Sequence, residues 1–281
     1  MPTLLSFGHG YSAQALTDIL PEDWRVIGTT RKAEKIETLK AQGVEPVIWP
    51  GSDLTAALDD ATHLLISAAP SEDGDPVLNE LRDEIAKRRD QFAWVGYLST
   101  TGVYGDHNGD WVDESADLTP ATKRGQLRVM AETDWRSMDV PLHIFRLAGI
   151  YGPGRGPFSK VRSGSARRII KKEQVFSRTH VEDIAQVLLA SINRPNPGTA
   201  YNVCDDDPAP PEDVIAYAAE LLGMPIPPAE DFETAEMTPM ARSFYAESKK
   251  VRNDRIKDEL GVVLIYPDYR AGLDDLLKRE G

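Results

Sequence analysis

The chain reads as a doubly wound α/β fold on one parallel sheet, with a smaller lobe towards the C-terminus. Three observations predict it. Short apolar runs alternate with helix-like stretches through the first half, and such alternation means βαβ units with right-handed crossovers. A glycine-rich turn follows the first apolar run directly. The 281 residues suffice for one large domain or two modest ones with a sizeable core.

Thr3-Leu4-Leu5-Ser6-Phe7 is the first strand, and Tyr11 to Leu20 a helix closed by Pro21. Trp24 to Gly28 is the second strand. Lys32 to Gln42 is a charged helix, with Gly43 where a C-terminal cap belongs. Val44 to Ile48 and His63 to Ser67 are the third and fourth strands, and Val77 to Asp90 is helical. Phe92 to Leu98 is the fifth strand, Gln126 to Met138 a helix, and Leu142 to Leu147 the sixth strand. Residues 1–150 thus form the larger, sheet-built domain. About 179–204, with a helix at Val181 to Ile192 and a strand at Ala200 to Val203, complete it. Residues 151–178 and 205–281 make the smaller lobe. In it, Asp205 to Pro211 is a turn-rich break, and Glu212 to Leu222 a helix entered through Pro211 and closed by Gly223. Residues 224–240 read as irregular, and Lys249 to Leu260 and Tyr269 to Arg279 as the last helices.

Composition narrows the function. The formal net charge is -13, so the chain is a poor binder of nucleic acid, one polyanion repelling another. The single cysteine, Cys204, excludes an internal disulfide framework and a cysteine-rich zinc site. The five histidines are scattered without ligand spacing, so no metal site is expected. No apolar run approaches the roughly 20 residues of a membrane span, and the N-terminus lacks the pattern of a signal peptide. A protein of the cytoplasm is expected, with a small molecule as partner, no membrane association and an oligomeric state left open.

Gly8-His9-Gly10-Tyr11-Ser12-Ala13 is a GxGxxA pattern between the first strand and the first helix. There the first glycine permits a tight turn, the second lets backbone approach a pyrophosphate, and small Ala13 lets helix and strand pack closely. The helix start, with Tyr11 and Ser12, turns free N–H groups and the positive dipole end towards the phosphates. A tight turn without a ligand is the plain alternative. At the end of the second strand an NAD site usually carries Asp or Glu. Here Thr30 and Arg31 follow Thr29, with Arg31 21 positions after Gly10 and no carboxylate present. A guanidinium suits a 2′-phosphate, so NADP is the expected cofactor; the alternative for Arg31 is a solvated helix start.

Leu98-Ser99-Thr100-Thr101-Gly102-Val103-Tyr104-Gly105 resembles the extended short-chain dehydrogenase/reductase superfamily, which contains the nucleotide-sugar epimerases and dehydratases. Asp113-Glu114 with Thr119-Pro120, the run Arg146 to Gly154, His180 to Ala185, and Tyr201-Asn202-Val203 match the same pattern. The resemblance covers residues 1 to about 204 and implies a Rossmann-type domain with a substrate lobe. It also implies an active site of Ser or Thr with a YxxxK pair. The Ser/Thr position falls on Thr100. Counting back from Glu132 puts the lysine position on Arg128 and the tyrosine position on Arg124. Arginine does not release a proton at ordinary pH, so the tyrosine's role is vacant, whereas Arg128 retains the lysine's role of holding the nicotinamide ribose. The pattern is similar to atypical short-chain reductases that keep the cofactor fold and lose the catalytic set.

Tyr151, which the resemblance turns towards the substrate cleft, is the second catalytic candidate after Thr100. Tyr104 is mostly structural in the family. His9, His107 and His180 read as turn, exposed and capping residues. Residues 155–178 carry eight cations against the single acid Glu173, which suits an anionic substrate or, equally, a solvated loop. An arginine that contacts the substrate diphosphate in epimerases is replaced by Phe176, with Arg178 two residues on. Two functions follow: an NADP-dependent oxidoreductase of a small polar or anionic substrate, or a non-catalytic NADP(H)-binding sensor or interaction protein.

Overall fold

A computed structural model describes residues 1–280. Seven strands form one sheet: β1 (Thr3–Phe7), β2 (Arg25–Thr30), β3 (Glu45–Ile48), β4 (His63–Ile66), β5 (Trp94–Thr100), β7 (Leu142–Leu147) and β11 (Ala200–Val203). Their order is β11-β7-β5-β4-β1-β2-β3, every neighbour parallel. This is the doubly wound order with its switch point between β1 and β4. Both faces are covered, so strands such as β1 are buried throughout. Side chains alternate between two cores. Leu5, Phe7, Leu64, Ile66, Val95 and Tyr97 enter one; Leu4, Leu65, Trp94, Leu98 and Phe145 enter the other.

The helices between these strands are α1 (Tyr11–Thr17), α2 (Ile36–Ala41), α3 (Thr55–Asp60), α4 (Pro76–Lys87), α5 (Lys123–Arg136) and α7 (Val181–Asn193). α4 begins where Asp75 accepts from the N–H groups of Val77 and Leu78 and Pro76 takes the first position. α3 is absent from the sequence reading; six residues with one buried side chain, Leu58, give too short a period to see.

The rest is built from short pieces: β6 (Trp111–Val112), β8 (Gly149–Tyr151), α6 (Phe158–Arg162), β9 (Arg168–Ile170), β10 (Arg178–His180), α8 (Pro211–Leu221), β12 (Ala229–Asp231), α9 (Pro239–Ser243), β13 (Lys250–Val251), α10 (Asp254–Asp258) and α11 (Tyr269–Glu280). Two expectations are corrected here. Residues 224–240 are not wholly irregular, because β12 pairs with β9. The helix expected from Lys249 to Leu260 is a strand followed by a short helix. β13 pairs with β6, and the Asn253 side chain donates to the Cys204 carbonyl at 2.8 Å and to Asp206 at 2.7 Å, fixing a bend between them. Tyr151, Phe158, Val214, Ala218, Tyr269 and Leu273 belong to a third core beside the sheet. Among the described residues no helix is long and apolar enough to cross a membrane.

Candidate functional site

A cleft of about 1010 Å³ opens at the carboxyl ends of the central strands, where ligands bind in open α/β sheets. Gly8, Gly10, Tyr11, Ser12, Thr100, Arg128 and Tyr151 all line it. Thr30 and Arg31 do not; they lie further out, at the end of β2.

The glycine turn is pinned from below. The Gly8 N–H donates to Thr29 Oγ1 and the His9 N–H to the Thr29 carbonyl, each at 2.8 Å. Gly8 has φ +75°, and a Cβ there would lie 3.1 Å from the Ala68 backbone nitrogen, so the turn accepts no side chain. Tyr11 reaches across the cleft and donates to the Pro153 carbonyl at 2.9 Å. That approach needs Gly152, where a Cβ would stand 2.6 Å from the Tyr11 hydroxyl. Ser67, at the end of β4, also lines the cleft, and its buried hydroxyl has no partner among the described residues. Thr30 Oγ1 accepts from the Lys32 N–H at 3.2 Å. Arg31 is exposed and makes no ion pair among the described residues.

Thr100 ends β5 and caps the turn Thr101–Tyr104, accepting from the Gly102 N–H at 3.2 Å. Its own hydroxyl hydrogen remains free to donate. Behind it lies a buried polar network. Ser99 donates to Glu132 at 2.5 Å, Arg146 donates to Glu132 at 2.9 and 3.3 Å and to the Tyr104 hydroxyl at 2.9 Å, and Tyr104 donates to Asn202 at 2.7 Å. Burial pushes the Tyr104 phenol up to about 12, against the pull of Arg146. Tyr104 is therefore structural.

The Tyr151 ring lines the cleft, but its hydroxyl donates to the Asp268 carbonyl at 3.3 Å, against Gly272 of α11. Burial, then the nearby Asp205, raise its pKa well above that of a free phenol. Arg128 donates through Nη1 to the Leu98 carbonyl at 2.8 Å and the Tyr97 hydroxyl at 3.0 Å, which keeps Nε and Nη2 for a ligand. Arg124 stacks over the Phe244 ring at 4.7 Å. His180 is buried, caps α7 by accepting the Glu182 N–H, and is held down to about 4 by desolvation, so it stands as neutral imidazole at neutral pH.

The basic segment divides. Arg162 and Arg167 pair with Glu280 and Glu230, and Arg168 donates to the Pro227 carbonyl. Arg155, Lys160, Arg167 and Arg178 line the cleft, joined by Arg124, Arg128 and Lys249. Among the described residues seven cations thus line the cleft with one acid, Glu247; Lys249 is paired with it at 2.9 Å and Arg167 with Glu230 outside the lining, which leaves five without an ion pair. In a chain of net charge -13 this is a focused positive site. Tyr245, Lys249 and Tyr269 escaped the sequence reading. They carry no motif and reach the cleft only through the packing of the C-terminal segments.

This geometry is that of a Rossmann-type α/β fold. A UDP-glucuronic acid 4-epimerase from Bacillus cereus, solved in complex with NAD, superposes with a TM-score of 0.77 over 99% of each chain at 17% identity. That likeness shows the shared fold, the parallel α/β sheet of the NAD-dependent epimerases and dehydratases. A functionally unknown conserved protein from Silicibacter pomeroyi DSS is 63% identical, covers 99% of each chain and superposes with a TM-score of 0.96; this chain belongs to the same family. Protein YeeZ of Escherichia coli K12 is 29% identical over 263 residues, covering 87% of this chain and 89% of that one. No family model matches the chain.

Proposed function

We propose that the protein binds NADP(H) in this cleft and transfers hydride to or from a small anionic molecule. The observation that carries the reading is the cation-lined cleft at the switch point, into which the GxGxxA turn and Thr100 both open. The bound nicotinamide supplies or accepts the hydride. Gly8, Gly10 and the N–H groups of the first turn of α1 hold the diphosphate. The unpartnered Ser67 hydroxyl is a further donor for the dinucleotide. Thr30 and Arg31 take the 2′-phosphate: no carboxylate stands there to repel it, and Arg31 has no competing ion pair among the described residues. Arg128 offers Nε and Nη2 to the ribose. Thr100 donates a hydrogen bond to the reacting oxygen and stabilises the charge that builds there, and solvent water supplies the proton on reduction and takes it up on oxidation. Residues 1–150 with about 179–204 act as the cofactor domain, and 151–178 with 205–281 as the substrate lobe. A lone cysteine suits the reducing cytoplasm.

A second reading, an NADP(H) sensor without turnover, is favoured by one observation: arginines occupy the proton-transfer positions 124 and 128, and the Tyr104 and Tyr151 hydroxyls are bound elsewhere. Screening small carbonyl acids with NADPH separates the two. The enzyme shows turnover, and Thr100→Val lowers kcat by roughly 10²-fold with NADPH affinity little changed. Turnover at full rate in that variant refutes the role of Thr100. NADPH binding with no turnover on any acid favours the sensor.

A further inference from the structure

The Arg178 guanidinium is held on one side only. Arginine has five N–H donors. Nη1 spends its two on the carbonyls of Phe176 at 2.8 Å and Ala209 at 3.0 Å, which fixes the guanidinium plane. Nε and Nη2 make no hydrogen bond among the described residues. The group is half-buried at the cleft wall, and desolvation lowers its pKa. Its nearest carboxylate in charge is Asp205, whose N–H donates to the Arg178 carbonyl at 2.7 Å. Asp205 is buried, yet neither side-chain oxygen has a hydrogen-bond partner. Burial pushes its carboxyl up against the pull of the Arg178 charge, and neither of its oxygens is hydrogen-bonded to Nε or Nη2. A guanidinium placed like this costs stability until an anion meets it.

We propose that the Nε/Nη2 edge of Arg178 is a carboxylate fork and that the substrate is a small monocarboxylate with a flat apolar body. The proposal rests on the cleft being the cofactor and substrate site, and adds the substrate class. Nε–H and one Nη2–H point in parallel and match the two oxygens of one carboxylate. Phe176, two residues earlier, lies on the same face of the extended chain and also lines the cleft. Its ring meets Tyr245 edge-on at 5.7 Å, and Arg178 lies 6.0 Å from the Tyr269 ring centroid. Aromatic walls of this kind suit a planar apolar group. Arg155 sits over the Tyr11 ring at 5.8 Å, beside the glycine turn. The fork with its aromatic neighbours matches one carboxylate attached to a planar group.

The test is calorimetric titration of the full-length protein with trans-cinnamate and with cinnamamide, its neutral isostere, with and without NADP. Titration with NADP alone is read separately. Cinnamate is expected to bind roughly 10- to 100-fold more tightly than cinnamamide, the range of charge-assisted hydrogen bonds. Arg178→Gln is expected to abolish that preference and leave NADP affinity unchanged. Equal affinity of the wild type for the two probes, no cinnamate binding at millimolar concentration, or a preference that survives Arg178→Gln overturns the fork. The wild-type comparison decides even if the variant misfolds, and Arg178→Lys, which keeps charge without the fork, is expected to weaken cinnamate selectively. A cinnamate preference in a protein that fails to bind NADP overturns the cofactor reading and leaves the fork standing.

Discussion

Replacing Glu132 by glutamine would strike the buried network that holds the end of β5. The Glu132 and Arg146 side chains are only 2% and 4% exposed. Glu132 Oε1 accepts from Ser99 at 2.5 Å and from Arg146 Nε at 3.3 Å, and Oε2 accepts from Arg146 Nη2 at 2.9 Å. In Glu132→Gln an amide NH₂ faces Arg146 Nη2 or, if the amide flips, Arg146 Nε; the Ser99 hydroxyl can turn to accept, but a guanidinium cannot. Arg146 is left a buried cation without its counter-charge, its side-chain acceptors reduced to one amide oxygen and the Tyr104 hydroxyl. Breaking a buried pair from one side costs about 3–5 kcal/mol, a large part of the roughly 5–15 kcal/mol of a typical domain. With an m-value of about 3 kcal/mol/M, the urea midpoint falls by about 1–1.7 M. Fluorescence reports it directly, since Trp94 and Trp135 are fully buried. Because Ser99 precedes Thr100, NADPH binding by the folded variant is also expected to weaken. A stability loss below about 1 kcal/mol, the size of a solvent-exposed ion pair, refutes the reasoning.

Two further outcomes follow from single positions. Arg31→Ala is expected to weaken NADPH by roughly 10- to 100-fold and leave NADH almost unchanged; titration calorimetry showing equal losses for both cofactors removes Arg31 from the 2′-phosphate site. His143 is buried, accepts the Asn196 N–H through Nε2 at 2.9 Å, and is pushed by desolvation from 6.5 down to about 4. Between those values the unfolded chain binds a proton that the folded one refuses, so this histidine's contribution to stability falls as pH falls through that window. Denaturation of wild type and His143→Gln at pH 7.5 and pH 5 is expected to show the wild type losing about 1–2 kcal/mol relative to the variant; a pH-independent gap contradicts the assignment.

The sheet was legible along the chain because its signals are local. Apolar runs of strand length, glycine and proline at their ends, and the GxGxxA turn before α1 each depend on neighbours a few residues away. Legibility stopped where a short element borrows its stability from afar. α3 offers one buried side chain, and β13 exists because Trp111–Val112 lies alongside it.

Sequence alone determined the doubly wound class, the glycine turn, the absence of a carboxylate after β2 and the arginines at positions 124 and 128. Tertiary structure alone decided which of many similar side chains face the cleft. Tyr104 is silenced by Asn202, 98 positions away, and Lys249 is brought to the cleft by the Gly105 carbonyl, 144 positions away, at 2.6 Å. The eight cations of residues 155–178 are alike in sequence; their partners sort them, with Glu280 and Glu230 holding Arg162 and Arg167 while one edge of Arg178 stays open. Periodicity along a chain records which face of an element is buried. It carries no record of which distant carbonyl or carboxylate consumes a given donor, and that accounting separates a bound side chain from one free to meet a ligand.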